Sequence, residues 1–326
     1  MRTRLIQSSS DPVLSSSEHG ERTHPSNSIG ANHTTVLLHE AIAALNIQND
    51  DIVLDATLGG AGHAREIAKR LGITGVFIGF DLDADAIERT KKELATESCH
   101  KHFVEANFRD LAEHMERLRI TAVSGALFDL GWSGYQLAAG RGFSFLADEP
   151  LLMTYTREIG PDTLTAHTIV NTWGEESIAD ILFGWGEERH SRKIAHAIVT
   201  RRDRAPFETA RDLAETIKSA VPPIYRFGRI HPATRSFQAL RIAVNDELGA
   251  LRAGVGAAFQ MLKPEGRMAV ISFHSIEDRI VKEMFLDFSK NGEAIRITKS
   301  PTRPSDEELV ANPRARSAKL RVIQKN

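Results

Sequence analysis

The chain has 326 residues, 41% of them hydrophobic, a formal net charge of −2 and one cysteine. This is enough apolar material for one large domain or two ordinary ones, and the near-neutral charge leaves any nucleic-acid binding to local patches. Cys99 alone excludes an intramolecular disulfide framework and a cysteine-rich zinc site, and no run approaches the ~18 apolar residues of a membrane span; a cytoplasmic protein with no membrane partner is expected.

Residues 1–30 are rich in Ser, with His, Pro, Asn and scattered charges, and read as a disordered tail. Arg2 and Arg4 precede no continuous apolar core of a secretory signal, and Asp11, Glu18 and Glu21 argue against a transit peptide. Helical periodicity over residues 36–45 predicts a helix beside the first strand. That strand is Ile52-Val53-Leu54. The glycine turn Asp55-Ala56-Thr57-Leu58-Gly59-Gly60-Ala61-Gly62-His63 follows, and then a helix over residues 64–71.

Glycines without a Cβ let a ligand approach the backbone, and the helix start offers unpaired N–H groups. A dinucleotide fingerprint counted from Gly60 would need a third glycine where Arg65 stands, which weakens an NAD reading. The second strand, Gly75-Val76-Phe77-Ile78-Gly79-Phe80, ends in Asp81-Leu82-Asp83. An acid there can accept two hydrogen bonds from a ribose diol, each worth roughly 1.5–3 kcal/mol. S-adenosylmethionine carries a ribose and no pyrophosphate, so it needs the carboxylate but not the full fingerprint. A plain βαβ turn with solvated acids is the competing reading.

A charged surface helix over residues 85–94 leads to a third strand at 101–105 and the turn Asn107-Phe108-Arg109-Asp110, whose Phe108 suits either an adenine stack or the core. The fourth strand, Gly125-Ala126-Leu127-Phe128, ends in Asp129-Leu130-Gly131-Trp132-Ser133. Open α/β sheets bind ligands beyond the carboxyl ends of their strands, so Asp55, Asp81, Phe108 and Asp129 should converge at one edge.

From residue 141 to 235 the alternation gives way to helices, clearest at 176–183, 191–201 and 209–220, with Pro206, Pro222 and Pro223 as breaks. The alternation then resumes. Residues 236–261 read as one long amphipathic helix, Lys263-Pro264-Glu265-Gly266 as a turn and 267–273 as a strand. Ser275, with Asp278 three residues on, reads as the N-cap of a helix over 278–288. The expected fold class is α/β, a Rossmann-like sheet (residues 31–140 and 236–326) with an inserted all-helical domain (141–235) and a basic C-terminal segment.

Several separated motifs resemble one family, the bacterial 16S rRNA (cytosine-N4)-methyltransferases. They are His33-Thr34-Thr35-Val36-Leu37-Leu38, the glycine turn, Arg141-Gly142-Phe143-Ser144-Phe145, Gly186-Glu187-Glu188-Arg189, His231-Pro232-Ala233-Thr234-Arg235, Phe237-Gln238-Ala239-Leu240-Arg241-Ile242, Ile271-Ser272-Phe273-His274-Ser275 and Asn312-Pro313-Arg314-Ala315-Arg316-Ser317. The resemblance implies methylation of a decoding-site (P-site) cytosine of 16S rRNA in the small ribosomal subunit, with S-adenosyl-L-methionine as cofactor. Its cofactor contacts fall on Ala61, Gly62, His63, Asp81, Phe108, Asp129 and Gln136. The chain departs from the family pattern at Ala61, where a glycine is usual, at Trp132-Ser133-Gly134, and at Leu152 and Thr154 around Met153.

An exocyclic cytosine amine is a poor nucleophile, its lone pair delocalised into the ring, so positioning must supply much of the rate, roughly 7–11 kcal/mol at best. Asp129 is the candidate catalytic residue, holding the amine or the cofactor's amino end; capping the following turn is its structural alternative. Trp132, Tyr135 and Phe143 are candidates to receive an unstacked base. His63 reads as a cofactor partner or a helix cap, and His231 and His274 as structural histidines. No spacing of His, Asp and Glu suggests a metal ligand set.

Two basic stretches suit RNA: Arg189, Arg192, Lys193, Arg201, Arg202 and Arg204, and Arg314, Arg316, Lys319 and Arg321. Two alternatives stay open, a non-catalytic RNA-binding or ribosome-assembly module and a methyltransferase with another acceptor. Association into a homodimer is also open.

Overall fold

A computed structural model of the protein describes residues 34–131, 140–156 and 159–326. The tail, and with it the expectations for Trp132, Ser133, Gly134, Tyr135 and Gln136, lie outside the described residues. Seven strands form one sheet in the order β3-β2-β1-β4-β5-β7-β6. They are β1 (Ile52–Asp55), β2 (Val76–Asp81), β3 (His100–Glu105), β4 (Val123–Asp129), β5 (Leu262–Ser272), β6 (Ala294–Arg296) and β7 (Lys319–Lys325). β1 to β5 pair in parallel, and β7 runs antiparallel between β5 and β6.

The parallel strands read as near-continuous apolar runs because helices cover both faces. One face buries Val53, Phe77, Leu127 and Ile271; the other buries Leu54, Ile78, Phe128 and Val270. Successive residues alternate between these two cores, as the two-residue period of a strand requires. On the β1 to β4 side the helices are α1 (Leu38–Leu45), α2 (Gly62–Ala68), α3 (Ala84–Glu93) and α4 (Leu111–Arg117). Asp83 caps α3 by accepting the Asp85 N–H at 3.1 Å.

The insert consists of α5 (Ala166–Thr172), α6 (Glu175–Gly186), α7 (Ser191–Arg202), α8 (Ala210–Ala220) and the short α9 (Pro223–Arg226). Thr165 and Thr209 cap α5 and α8 through their hydroxyls. Ile169, Ile178, Leu182, Ile194, Leu213 and Ile217 form its core together with Phe237 and Leu240. The packing of the insert therefore runs past residue 235 into the next helix.

That next helix corrects an expectation. Residues 236–261 are not one helix but two, α10 (Thr234–Asn245) and α11 (Glu247–Met261), broken at Asp246 with φ 45° and ψ 48°. Apolar periodicity continues through the break, which is why the pattern alone hides it. Asp is among the few residues that visit this left-handed conformation readily. Across the break the Arg241 Nε and Nη2 donate to the two Glu247 oxygens at 2.8 and 2.9 Å, with both side chains largely buried.

Two further differences are local. The predicted turn at 263–266 is an irregularity inside β5: Glu265 has φ 65°, and the register against β4 shifts between Val123 and Gly125. The last sheet helix, α12 (Ser275–Lys290), is capped by His274 rather than Ser275. The His274 Nδ1 accepts the Glu277 N–H while the Glu277 carboxylate accepts the His274 N–H, a reciprocal capping box. A final helix, α13 (Asp306–Ala311), is capped by Ser305.

The Arg241–Glu247 pair yields a direct test. Removing one partner of a buried ion pair strands the other charge, so Arg241→Ala should lower unfolding free energy by about 3–5 kcal/mol in urea titration.

Candidate cofactor and acceptor site

The carboxyl ends of β1, β2 and β4 open onto one pocket, with the turn after β3 beside them. Its near wall is Thr35, residues 56–60, Gly62, His63, Asp81, Leu82 and residues 106–108; its far wall is Tyr155, Asn245, Glu247, Ala250, Leu251 and Glu277, with Asp129, Leu130 and Gly131 between. Asp55, at the end of β1, is fully buried beneath this edge, and its Oδ1 accepts the Thr57 N–H at 3.1 Å.

The glycine turn is held from both sides. Thr57 Oγ1 accepts the Asp129 N–H at 2.6 Å, and the Gly59 N–H donates to Asp81 Oδ2 at 2.9 Å. Ala61 precedes α2 with φ 64°, the left-handed region its missing glycine would occupy freely. At Gly62 no side chain fits, because a Cβ would lie 1.7 Å from Thr35 Oγ1. His63 is not the cap of α2; it is buried within the first turn, with Nδ1 3.6 Å from Asp129 Oδ2.

Asp81 accepts backbone N–H groups on both oxygens, from Gly59 and from Asp83, which fixes its plane and leaves lone pairs for a ligand. Burial pushes its carboxyl above the ordinary range despite these bonds. Phe108 packs against the core and is part of the pocket wall. Its ring meets Phe128 edge-on at 5.6 Å while also lining the pocket. Gly254 of α11 makes room for it, since a Cβ there would come within 2.5 Å of the ring.

Asp129 is the most unusual group. Its Oδ1 is buried with no hydrogen-bond partner among the described residues. Burial pushes its pKa up to about 7; the Gly131 N–H opposes the rise and the Glu277 charge adds to it.

The far wall was not legible as a site. Tyr155 donates its hydroxyl to Glu247 Oε1 at 2.8 Å, and its N–H donates to Asn245 Oδ1 at 2.8 Å. Phe143, foreseen as a base platform, instead stacks on Tyr155 at 5.6 Å, behind the pocket. The Glu277 Oε2 accepts the Phe273 N–H at 2.9 Å, and Oε1 lies 3.1 Å from His274 Nε2. Burial raises the Glu277 pKa, but the hydrogen bond and charge of His274, the Phe273 N–H and Arg241 outweigh it and hold the group low. Glu247, His274 and Glu277 place potential ligand atoms within 4.8 Å of one another, a grouping no sequence spacing suggests. Arg241 already engages Glu247 with two hydrogen bonds, so the three read better as a charge network than as a cation site.

The basic residues divide. Arg201 pairs with Asp212 and donates to Ala205 O, and Arg202 donates to Val170 O and Trp173 O. Lys319 and Arg321 sit on β7 and hold Asp278 at 2.8 and 2.6 Å. These four serve the fold, contrary to their reading as RNA contacts. Arg192, Lys193, Arg204, Arg314 and Arg316 are exposed, and Arg189 lies over the Tyr225 ring at 5.4 Å. Asn312, two residues before Arg314, donates to Thr34 O at 3.1 Å, next in sequence to Thr35 of the pocket wall. His231 is structural, stacked on Phe145 at 4.5 Å. Thr154 is buried and Leu152 half-buried, and Thr154 Oγ1 accepts the Thr156 N–H.

A parallel sheet with a glycine turn after β1, an acid closing β2 and a buried acid closing β4 defines a nucleoside-cofactor-binding α/β protein. The chain belongs to the MraW methylase family, whose model matches residues 30–326. It is 45% identical over 309 residues to the ribosomal RNA small subunit methyltransferase H of Brevibacillus brevis, covering 90% of this chain and 98% of the relative. The same-named protein of Magnetococcus marinus is 45% identical over 312 residues, with the same coverage. A solved structure of an rRNA methylase from Streptococcus thermophilus is similar over 88% of this chain and 93% of its own, at 11% identity and a TM-score of 0.41. S-adenosyl-L-methionine is the methyl donor of this family's chemistry. The bare backbone at Gly62, the fixed carboxylate of Asp81 and the half-buried ring of Phe108 fit its amino-acid, ribose and adenine parts.

Two expectations follow. A left-handed alanine costs roughly 1–2 kcal/mol relative to an unstrained residue, so Ala61→Gly should raise stability by about 1 kcal/mol in chemical denaturation. Native Asp129 keeps its proton between its ordinary value of 3.8 and about 7, where the unfolded chain has released it. Its contribution to stability is therefore present below pH 3.8 and lost as pH rises through about 7. Asp129→Asn should flatten that decline in a series of melts.

Proposed function

We propose that the protein transfers a methyl group from S-adenosyl-L-methionine to the exocyclic N4 of a decoding-site cytosine in small-subunit ribosomal RNA, in the cytoplasm. The observation that carries this reading is Asp129: a desolvated carboxylate with an unsatisfied oxygen, in the pocket at the β4 end, titrating near neutrality. An amino acceptor supplies the N–H such an oxygen needs and must shed a proton as it is methylated. The cofactor, when bound, supplies an electrophilic methyl group on a sulfonium. Ala61, Gly62, His63, Asp81 and Phe108 hold it, with Gln136 as a further contact. Asp129 orients the amine and takes the proton.

The exposed cations Arg189, Arg192, Lys193, Arg204, Arg314 and Arg316 then meet phosphates. The curated relatives' names, which specify small-subunit ribosomal RNA, support this choice of substrate over a protein or small-molecule acceptor.

The test is transfer of labelled methyl to unmethylated small subunits and to naked 16S rRNA, followed by nucleoside analysis. N4-methylcytosine is expected, with a rate that rises with pH around 7 as Asp129 ionises. Asp129→Asn should lower the rate by roughly 10²–10⁴-fold, the usual contribution of a positioned proton acceptor. Cofactor binding without any methylated nucleoside would favour a non-catalytic RNA-binding module.

A further inference from the structure

Four carboxylates line the pocket among the described residues, and their engagement differs. Asp81 accepts N–H groups on both oxygens at the cofactor end of the near wall. Glu247 accepts from Tyr155 and Arg241 on Oε1 and from Arg241 again on Oε2. Glu277 commits Oε2 to the Phe273 and His274 N–H groups but turns Oε1 only toward His274, and Asp129 Oδ1 has no hydrogen-bond partner. Asp81 keeps lone pairs at the cofactor end; beside the β4 end, Asp129 Oδ1 is open and Glu277 Oε1 keeps a lone pair beyond its approach to His274.

The sheet brings these two together. Asp129 is the register partner of Ile271 on β5, and the Leu130 N–H donates to Ile271 O at 3.0 Å. Two residues beyond Ile271, the Phe273 N–H clamps Glu277, so both carboxylates are fixed to adjoining strand ends. Gly131 lets the strands close there, since a Cβ would lie 2.7 Å from the Phe273 ring. The capping box then sets the Glu277 side chain before any ligand arrives.

We propose that Glu277 is a second acceptor for the exocyclic amine, so that Asp129 and Glu277 between them take both of its N–H bonds before transfer. This rests on the amino-acceptor reading above. Two acceptors in the plane of the base hold the amino group flat, which directs the nitrogen lone pair along the normal to the ring, where the methyl group must arrive. The new N–CH3 bond forms from that lone pair as the S–CH3 bond breaks with its electrons left on sulfur. One N–H proton passes to Asp129, restoring a neutral methylated amine. Once Asp129 is ionised, a keto oxygen in the same place would meet two acceptors and no donor, so the pair then selects an amino over a keto pyrimidine. Sites built around a substrate N–H reject analogues lacking it by factors of roughly 10⁴–10⁵.

The test compares wild type with Glu277→Gln, which keeps an oxygen for the cap but turns the other position into a donor. Cofactor affinity by calorimetry should change by less than about twofold, while kcat on unmethylated small subunits falls at least tenfold. The pH profile gives a second readout. Asp129 faces His63, Asp55 and Glu277, and Glu277 faces His274, Arg241 and Tyr155. Removing the Glu277 charge takes away a repulsion that raises the Asp129 pKa, so the acidic limb should move to lower pH. A loss of packing would hydrate Asp129 and move the limb the same way, so the shift counts only where cofactor affinity is unchanged.

Unchanged kcat and an unchanged limb would overturn the proposal, as would a parallel loss of cofactor binding, which would assign Glu277 to the cofactor's ammonium. If the variant does not fold, wild type saturated with S-adenosylhomocysteine decides: cytidine should bind at least tenfold tighter than uridine, and equal binding refutes the pair. A wild-type product other than N4-methylcytosine would refute the function reading itself; N4-methylcytosine with an indifferent Glu277→Gln would refute only this inference.

Discussion

Desolvated negative charge at one edge of a sheet is the constraint on which the rest of this structure depends. A buried carboxylate is costly unless it is neutralised, paired or hydrogen-bonded, and Asp55, Asp129, Glu247 and Glu277 are all held at or beneath the pocket. The protein treats them differently. Burial keeps Asp55 well above the ordinary carboxylate range, Arg241 neutralises Glu247, and the start of α12 holds Glu277. Asp129 combines a buried, unsatisfied oxygen on the pocket wall with a pKa pushed up to about 7.

The compensation needs elements distant in sequence. Arg241 reaches Glu247 only because the chain breaks at Asp246, and Asn245 faces the same pocket from the other side of that break. Tyr155 comes from the stretch leading into the helical insert and rests on Phe143 and Asn245. The far wall thus stands where the core of the insert meets the core of the sheet.

The near wall was legible in the sequence because its signals are local. Apolar runs ending in Asp55, Asp81 and Asp129 place acids at strand ends, and a strand's period and direction then force them to one edge. The far wall was opaque for the same reason: Glu247 sits within an unbroken helical pattern, and nothing near Glu277 in sequence announces Asp129. The cap of α12 was misread by one residue because Ser is the commoner cap, while His274 serves through its ring nitrogen. Arg201, Arg202, Lys319 and Arg321 looked like RNA contacts because a cation's partner cannot be seen along the chain; each turns inward to a carbonyl or an acid. Ala61, a departure from the family's glycine, adopts the left-handed backbone that glycine takes freely.

The position of β7 has a consequence for the order of assembly during synthesis. β6 is made first, yet its only neighbour in the sheet is β7, which also covers the outer edge of β5. Lys319 and Arg321 on that strand grip Asp278, the residue after Glu277. A nascent chain can therefore stack β1 to β5 as they emerge, but the helix carrying Glu277 lacks this anchorage until residues 319–325 have threaded between two segments already made. Completion of the far wall of the pocket is a late event, and the unfinished chain is left with an open sheet edge in the meantime.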